Sequence, residues 1–180
     1  MGCIAIAATT LDGKIALDEA SGSSWTSPED KDFLHEILDK SDVVVVGNNT
    51  YKAAKEPLSK RNCIVLTHSV KTTERVNDRL LLWNPEGESH SSILSSFAEA
   101  SKDRRKTGMV VVLGGAQTYS YFLKEGLLDE LYLTIEPLVF GRGIPLFADI
   151  GEEPAHFRLL SSKQLNEKGA TLLHYTREKN

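Results

Sequence analysis

The segment VVVVGNNTY, residues 43–51, passes from an apolar strand pattern through a glycine into a helix start. Four consecutive valines are typical of a strand buried on both faces of a sheet. Gly47 permits a tight turn, and Asn48, Asn49 or Thr50 can cap the helix that follows. The segment therefore predicts a strand–turn–helix unit of an α/β protein.

A second segment, VVVLGGAQTY at residues 110–119, has the same design, with Gly114 and Gly115 at the turn. Paired glycines let a ligand approach the backbone closely. Helix N-termini at the carboxyl ends of parallel strands are natural phosphate sites. Neither segment contains GxGxxG or GxxxxGK[ST]. Two such turns in one small α/β protein favour an extended cofactor that carries phosphate.

Short β-branched runs alternate with helical patterns along the first part of the chain. The predicted strands are residues 3–8, 42–46, 63–67, 80–83 and 109–113. The predicted helices are residues 28–40, a short one from about 50, 92–104 and 117–125, the last ending before Gly126, which suits a left-handed C-cap. Strand patterns follow at 130–136, 156–164 and 171–177, the last two joined by the turn NEKG. We expect an α/β fold, with a mostly parallel central sheet and antiparallel C-terminal strands.

The composition predicts one soluble domain spanning residues 1–180, which is 41% hydrophobic and 26% charged. The net charge of -4 argues against non-specific nucleic-acid binding, which depends on clustered cations. The apolar runs are too short to cross a bilayer, and the chain does not begin with a signal-peptide pattern. We therefore expect no nucleic-acid or membrane partner and a cytoplasmic location. The two cysteines and five histidines have no metal-ligand spacing, so we expect no metal.

The predicted first helix carries the most informative acid, Asp30. Ser27 can cap this helix and Pro28 fits its first position. Asp30 precedes Phe33 and Leu34 by three and four residues, so it shares the face of the apolar stripe. Two interpretations stay open: Asp30 completes a capping box, or it is a buried functional acid, because a bare carboxylate is costly to bury.

In this order, the segments resemble the dihydrofolate reductase family and the reductase domain of riboflavin-biosynthesis proteins, which share one fold. The resemblance runs from IAIAATTLDGKIA at residues 4–16 to the C-terminal hairpin. It implies a three-layer αβα architecture. SSWTSPED at 23–30 is similar to the segment that enters the family's first helix, which implies that Asp30 binds the pterin. LYLT at 131–134 resembles the strand whose threonine hydrogen-bonds that acid, which implies this role for Thr134.

The resemblance also implies the contacts with substrate and cofactor. SKRNCIVLTHS at 59–69 is similar to the segment whose arginine binds the glutamate tail of folate, here Arg61. Ala8 and Leu34 are the other pocket residues that it implies. The glycine turns resemble those that bind a nicotinamide cofactor, with a cis peptide between the paired glycines. The implied cofactor residues are Gly47, Asn48, Asn49, Thr50, Thr67, His68, Gly114, Gly115, Ala116, Gln117, Thr118 and Tyr119.

NADPH is the implied cofactor, and NADH is the alternative. The folate enzymes place arginines where Asn48 and Gln117 stand, and those arginines hold the 2′-phosphate of NADPH. Residues that can supply part of this recognition are Thr67, His68, Ser69 and Lys71.

Other segments resemble the riboflavin branch. LDGKIA at 11–16 and GLLDELYLTIEPLVFGRGIPLF at 126–147 are similar to its signatures, and Lys14 matches a lysine that touches the aminopyrimidine substrate. The chain departs from that branch at Leu113, where a glutamate is usual, and in AKEPL at 54–58, where an acidic motif is altered.

We therefore expect NADPH-dependent reduction of dihydrofolate to tetrahydrofolate, by hydride transfer to the pterin, in a monomer or homodimer. The alternative is 5-amino-6-(5-phosphoribosylamino)uracil reductase of the riboflavin pathway, or a related pyrimidine reductase. A nucleotide-binding protein without efficient chemistry is a third possibility. Residues 12–25, long, polar and glycine-bearing, form either a lid over the nicotinamide or a surface loop.

Overall fold

The computed structural model describes residues 2–19, 21–87, 89–90, 93 and 108–178. The strands are β1 Gly2–Thr10, β2 Lys14–Ala16, β3 Val43–Gly47, β4 Cys63–Leu66, β5 Thr73–Asn77, β6 Leu80–Trp83, β7 Met109–Val112, β8 Glu130–Glu136, β9 Ile144–Pro145, β10 Phe157–Gln164 and β11 Thr171–Arg177. The helices are α1 Pro28–Lys40, α2 Asn48–Ala53, α3 Lys55–Leu58 and α4 Ala116–Lys124.

Nine strands form one mixed sheet in the order β10-β11-β8-β1-β7-β3-β4-β6-β5. The six strands from β8 to β6 are parallel. The C-terminal hairpin of β10 and β11 adds antiparallel to β8, and β5 adds antiparallel to β6 at the other edge. This arrangement confirms the expected α/β fold with its antiparallel C-terminal strands.

Helices cover both faces of the sheet because its central strands are apolar on both sides. In β3, Val43 and Val45 face the core that contains Phe122 of α4. Val44 and Val46 face the other core, which contains Ile37 of α1. The resulting layers are helix, sheet and helix, as the resemblance implies.

Several element ends differ from the sequence prediction by one or two residues. Helix α2 begins at Asn48 rather than at about 50, and α4 begins and ends one residue earlier than predicted. Gly126, with a φ of 70°, follows α4 in the left-handed conformation that its C-cap requires. The predicted helix at 92–104 lies outside the described residues, apart from residue 93.

The sequence analysis missed α3 and three strands, β2, β5 and β9. Strands β2 and β9 are short and pair only with each other, far apart in the chain. Strand β5 is a polar, exposed edge strand without an apolar pattern. Among the described residues, no helix has both the length and the apolar character that a bilayer span requires.

Candidate active site

The two glycine turns meet at the carboxyl ends of the neighbouring parallel strands β3 and β7. The Gly47 N–H donates to the Gly114 carbonyl at 2.7 Å. A Cβ atom on Gly47 would lie 2.8 Å from Thr118 Oγ1, and one on Gly115 would lie 3.7 Å from Thr50 Oγ1. The peptide bond between Gly114 and Gly115 is cis, as the resemblance implies. The two turns are therefore in direct contact, with the side chains of Thr118 and Thr50 beside them.

Helix α4 begins directly after the second turn and presents the N–H groups of its first turn there, which have no intrahelical acceptor. Its residue Tyr119 is buried and donates its hydroxyl to the Ile6 carbonyl. Burial, and then the nearby charge of Asp30, raise the pKa of Tyr119. The charge of Asp30 therefore acts on a residue of the helix that follows the second glycine turn.

Asp30 lies at the start of α1, where the sequence predicts it. Ser27 is the N-cap, and its hydroxyl oxygen accepts from the Asp30 N–H at 3.4 Å. Asp30 is 9% exposed, and its carboxyl group lies within hydrogen-bonding reach of Thr134 and Thr26. Burial raises the pKa of Asp30, although both threonine hydrogen bonds lower it. Asp30 therefore lies in a buried environment, one of the two alternatives that the sequence left open. It does not complete a capping box, because the Ser27 N–H donates to Glu136 instead.

Three of the predicted substrate-binding residues lie in β1, α1 and β2. Ala8 is half-buried and pairs in register with Thr134 across β1 and β8. Leu34 is half-buried on α1 and packs against the core on that face. Lys14 lies in β2, and its backbone N–H donates to Thr10 Oγ1 at 3.0 Å.

Arg61 belongs to a different part of the molecule. Its guanidinium group donates to the Leu38 carbonyl at the end of α1 and to Asp39, both at 2.6 Å. Arg61 precedes β4, so it lies at the amino-terminal edge of the sheet, whereas the glycine turns lie at the carboxyl edge. The geometry therefore does not bring Arg61 together with Asp30.

Two cavities also lie away from the glycine turns. One, of about 580 Å³, is next to the carboxyl end of α4 and includes Arg177. The other, of about 370 Å³, is at the carboxyl end of α1 and includes Arg61, Lys60 and Arg79. Arg61 is the one predicted site residue in their linings.

The remaining cofactor-side residues follow β4. Thr67 is buried; its N–H donates to the Trp83 carbonyl, and its hydroxyl is bonded to Ser69. His68 is exposed, with Nδ1 3.9 Å from a Glu86 carboxylate oxygen. At α2, Asn49 donates its amide N–H to Glu19 at 3.2 Å, which joins segment 12–25 to the first glycine turn.

The structure adds residues that the sequence analysis did not assign. Glu136 is 4% exposed, and its carboxylate accepts from both the N–H and the hydroxyl of Ser27. Asp12 accepts from the N–H groups of Phe140 and Gly141, which anchors one loop to another. For Glu136, a signal was available: it follows Thr134 by two residues, so on a strand the two share a face.

Metal chemistry has no support within the part of the chain that the structure describes. No group of three or more His, Cys, Asp or Glu residues there has the geometry to hold a metal ion. Cys3 and Cys63 are both buried and free, and burial raises the pKa of each thiol to about 12.

Comparisons with known proteins place this geometry in a family. The uncharacterized protein YwjB of Bacillus subtilis (strain 168) is 29% identical, over 94% of both chains. A putative riboflavin biosynthesis protein from Shewanella sp. PV-4 superposes with a TM-score of 0.75 and 26% identity, over 99% of this chain and 100% of that one. A dihydrofolate reductase from Enterococcus faecalis, complexed with NADP(H), superposes with a TM-score of 0.68 and 23% identity, over 99% and 97%.

The fold is thus that of dihydrofolate reductase, as the resemblance implies. The model of the RibD C-terminal domain matches residues 3–170 of this chain. Since that match covers most of the sequence, the protein belongs to the RibD C-terminal domain family.

Proposed function

We propose that this protein is a reductase that transfers hydride from NADPH to an aminopyrimidine, of the class of 5-amino-6-(5-phosphoribosylamino)uracil. The observation that carries the proposal is the buried pair of Asp30 and Thr134, on a sheet whose two glycine turns meet at the carboxyl ends of β3 and β7. A buried titratable group and turns of a phosphate-binding type on one sheet are typical of an active site. The family match and the riboflavin-type neighbour favour the aminopyrimidine over dihydrofolate.

The glycine turns fit a nicotinamide cofactor because Gly47 and Gly115 carry no side chain and are partly exposed. A cofactor bound there would supply the hydride, whereas the protein supplies position and electrostatics. The first-turn N–H groups of α4 would bind the pyrophosphate, since they carry the positive end of the helix dipole. Gly47 and Gly115 would let the cofactor approach the backbone. We propose NADPH rather than NADH as this cofactor.

Asp30 would hold the flat heterocycle. A carboxylate accepts hydrogen bonds from a ring N–H and an exocyclic amino group together, which fixes the ring in one orientation. Thr134 would orient that carboxylate through its hydroxyl. Because burial raises the pKa of Asp30, a larger fraction of the group carries a proton near neutral pH than for an exposed aspartate.

Dihydrofolate is the second candidate, and the observation that favours it is the same Asp30–Thr134 pair, which the resemblance relates to pterin binding. The position of Arg61 weighs against it. Its guanidinium group already donates to Leu38 and Asp39, whereas the folate interpretation assigns it to the glutamate tail.

A spectrophotometric assay tests the proposal. Purified protein is mixed with each substrate, the aminopyrimidine or dihydrofolate, and with NADPH or NADH in turn. We expect NADPH oxidation with the aminopyrimidine, lost in Lys14→Ala and in Asp30→Asn. Turnover of dihydrofolate alone would support the second candidate. Cofactor binding without turnover of either substrate would refute both and indicate a nucleotide-binding protein.

A further inference from the structure

Glu136 is a second buried acid next to the candidate site. It accepts two hydrogen bonds from Ser27: the N–H donates to Oε1 at 2.7 Å and the hydroxyl donates to the same atom at 2.6 Å. The Ser27 oxygen in turn accepts from the Asp30 N–H. A continuous chain of hydrogen bonds thus runs from Glu136 through Ser27 to the backbone of Asp30.

Three contacts in a row hold α1 along β8. The rings of Phe33 and Tyr132 lie 5.5 Å apart, Asp30 bonds Thr134, and Ser27 bonds Glu136. The helix residues are spaced by three and the strand residues by two, so each set lies on one face of its element. The contact between Ser27 and Glu136 lies at the start of α1, three residues before Asp30.

Glu136 contributes a negative charge to the surroundings of Asp30. The charged or titratable groups that act on Asp30 are Glu136 from β8, Lys31 from α1 and Tyr119 from α4. Among the described residues, no ion pair joins Asp30 or Glu136 to a lysine, arginine or histidine. The negative charge of Glu136 disfavours the charged form of Asp30, whereas the positive charge of Lys31 favours it.

We propose that Glu136 is a positioning residue of this site, which fixes the start of α1 through Ser27 and places a second negative charge beside Asp30. The role of Glu136 in positioning substrate rests on the proposed function, since that function makes Asp30 the group that holds the heterocycle. The effect of Glu136 on the position and the pKa of Asp30 does not rest on it.

The negative charge of Glu136 changes the pKa of Asp30 in one direction only. The negative charge of Glu136 adds to burial in raising the pKa of Asp30, so its removal lowers that pKa. If the protonated form of Asp30 is the active one, activity falls as pH rises through this pKa. The alkaline limb of the rate profile then moves to lower pH when Glu136 is neutralised.

The test is an NMR titration of the Asp30 carboxyl carbon in the whole protein without ligand, assigned by its absence in Asp30→Asn. Glu136→Gln keeps an oxygen that accepts from Ser27 but removes the charge. We expect its Asp30 midpoint to shift to lower pH. Glu29→Gln is the matched control: it removes an exposed charge from the same helix turn, where solvent screens it. An unchanged midpoint in Glu136→Gln, or an equal shift in the control, would overturn the proposal.

Ser27→Ala tests the other half and serves if Glu136→Gln does not fold. It keeps both charges but removes the hydroxyl link. We expect several-fold faster hydrogen exchange at the Asp30 amide, while cofactor affinity stays unchanged. An unchanged exchange rate would refute the positioning role. Neither readout needs a substrate, so a protein that reduces nothing would refute the proposed function and still leave this inference tested.

Discussion

Thr134 on β8 lies within hydrogen-bonding reach of the carboxyl group of Asp30, which is in the first turn of α1. Both residues are buried, with Thr134 1% exposed. Ala8 lies in register beside Thr134 on β1 and is half-buried.

Asp30→Asn should abolish most of the reductase activity. The amide cannot hold or move the proton, and it offers only one acceptor oxygen to the heterocycle. We expect kcat to fall by about 100-fold or more, while the dissociation constant for NADPH stays the same. Steady-state kinetics and fluorescence titration measure the two values. Unchanged kcat would contradict the role given to Asp30.

The same substitution should change how stability depends on pH. The folded-state pKa of Asp30 is raised above the unfolded value by burial. Its contribution to stability is therefore fully present below the unfolded pKa and is lost as pH rises through the folded one. In Asp30→Asn, this loss should disappear from the free energy of unfolding, measured with urea across the acidic range. An identical pH dependence in both proteins would argue that the group titrates as in the unfolded chain.

Thr134→Val should raise the pKa of Asp30 further. The Thr134 hydrogen bond lowers that pKa, and valine keeps the volume but donates nothing. We also expect a loss of about 1 kcal/mol of stability, since a buried carboxylate loses a donor. Thr134→Ser keeps the hydroxyl and should restore the titration midpoint. If serine behaves like valine, packing rather than hydrogen bonding is responsible.

Gly47→Ala should weaken cofactor binding on the order of tenfold, which is about 1.4 kcal/mol. The new methyl group would lie 2.8 Å from Thr118 Oγ1, so one of the two turns has to shift. Gly2→Ala is the control, since a Cβ there meets nothing within 4 Å and Gly2 begins β1, at the opposite end of the parallel strands from the glycine turns. Calorimetric titration with NADPH compares the variants. Equal affinities would mean that the cofactor does not use this surface.

Arg61→Ala should destabilise the protein by about 1 kcal/mol, because the Leu38 carbonyl loses one of its donors and keeps only those of Ser41. It should leave KM for the aminopyrimidine unchanged, since the guanidinium lies at the opposite edge of the sheet. Asp39→Ala removes the exposed side of the same ion pair and should cost less. A selective rise of KM for dihydrofolate in Arg61→Ala would instead support the folate interpretation.

The helix that carries Asp30 was predictable because its signals are local. Ser27 as cap, Pro28 at the first position and the apolar spacing up to Leu38 all lie within or next to the helix. Its bounds agree with the prediction. The valine runs of β3 and β7 were equally clear, since strands buried on both faces need continuous apolar sequence.

Strands β2 and β9 were not predictable in this way. They are three and two residues long, and each exists because the other pairs with it: Lys14 with Pro145 and Ala16 with Ile144. The same holds for Arg61, whose sequence context resembles a substrate-binding arginine. Its contacts with Leu38 and Asp39 at the end of α1 depend on how that helix packs against the sheet, which no local pattern encodes.

The sequence by itself determined the alternation of strands and helices, the two glycine turns and the acid on the inward face of α1, because each depends on neighbours within a few residues. The tertiary structure decided that the turns touch, that Thr134 reaches Asp30 and that Glu136 lies buried under Ser27. These contacts join residues far apart in the chain. Sheet order and helix packing bring them together, and no local pattern encodes the resulting distances.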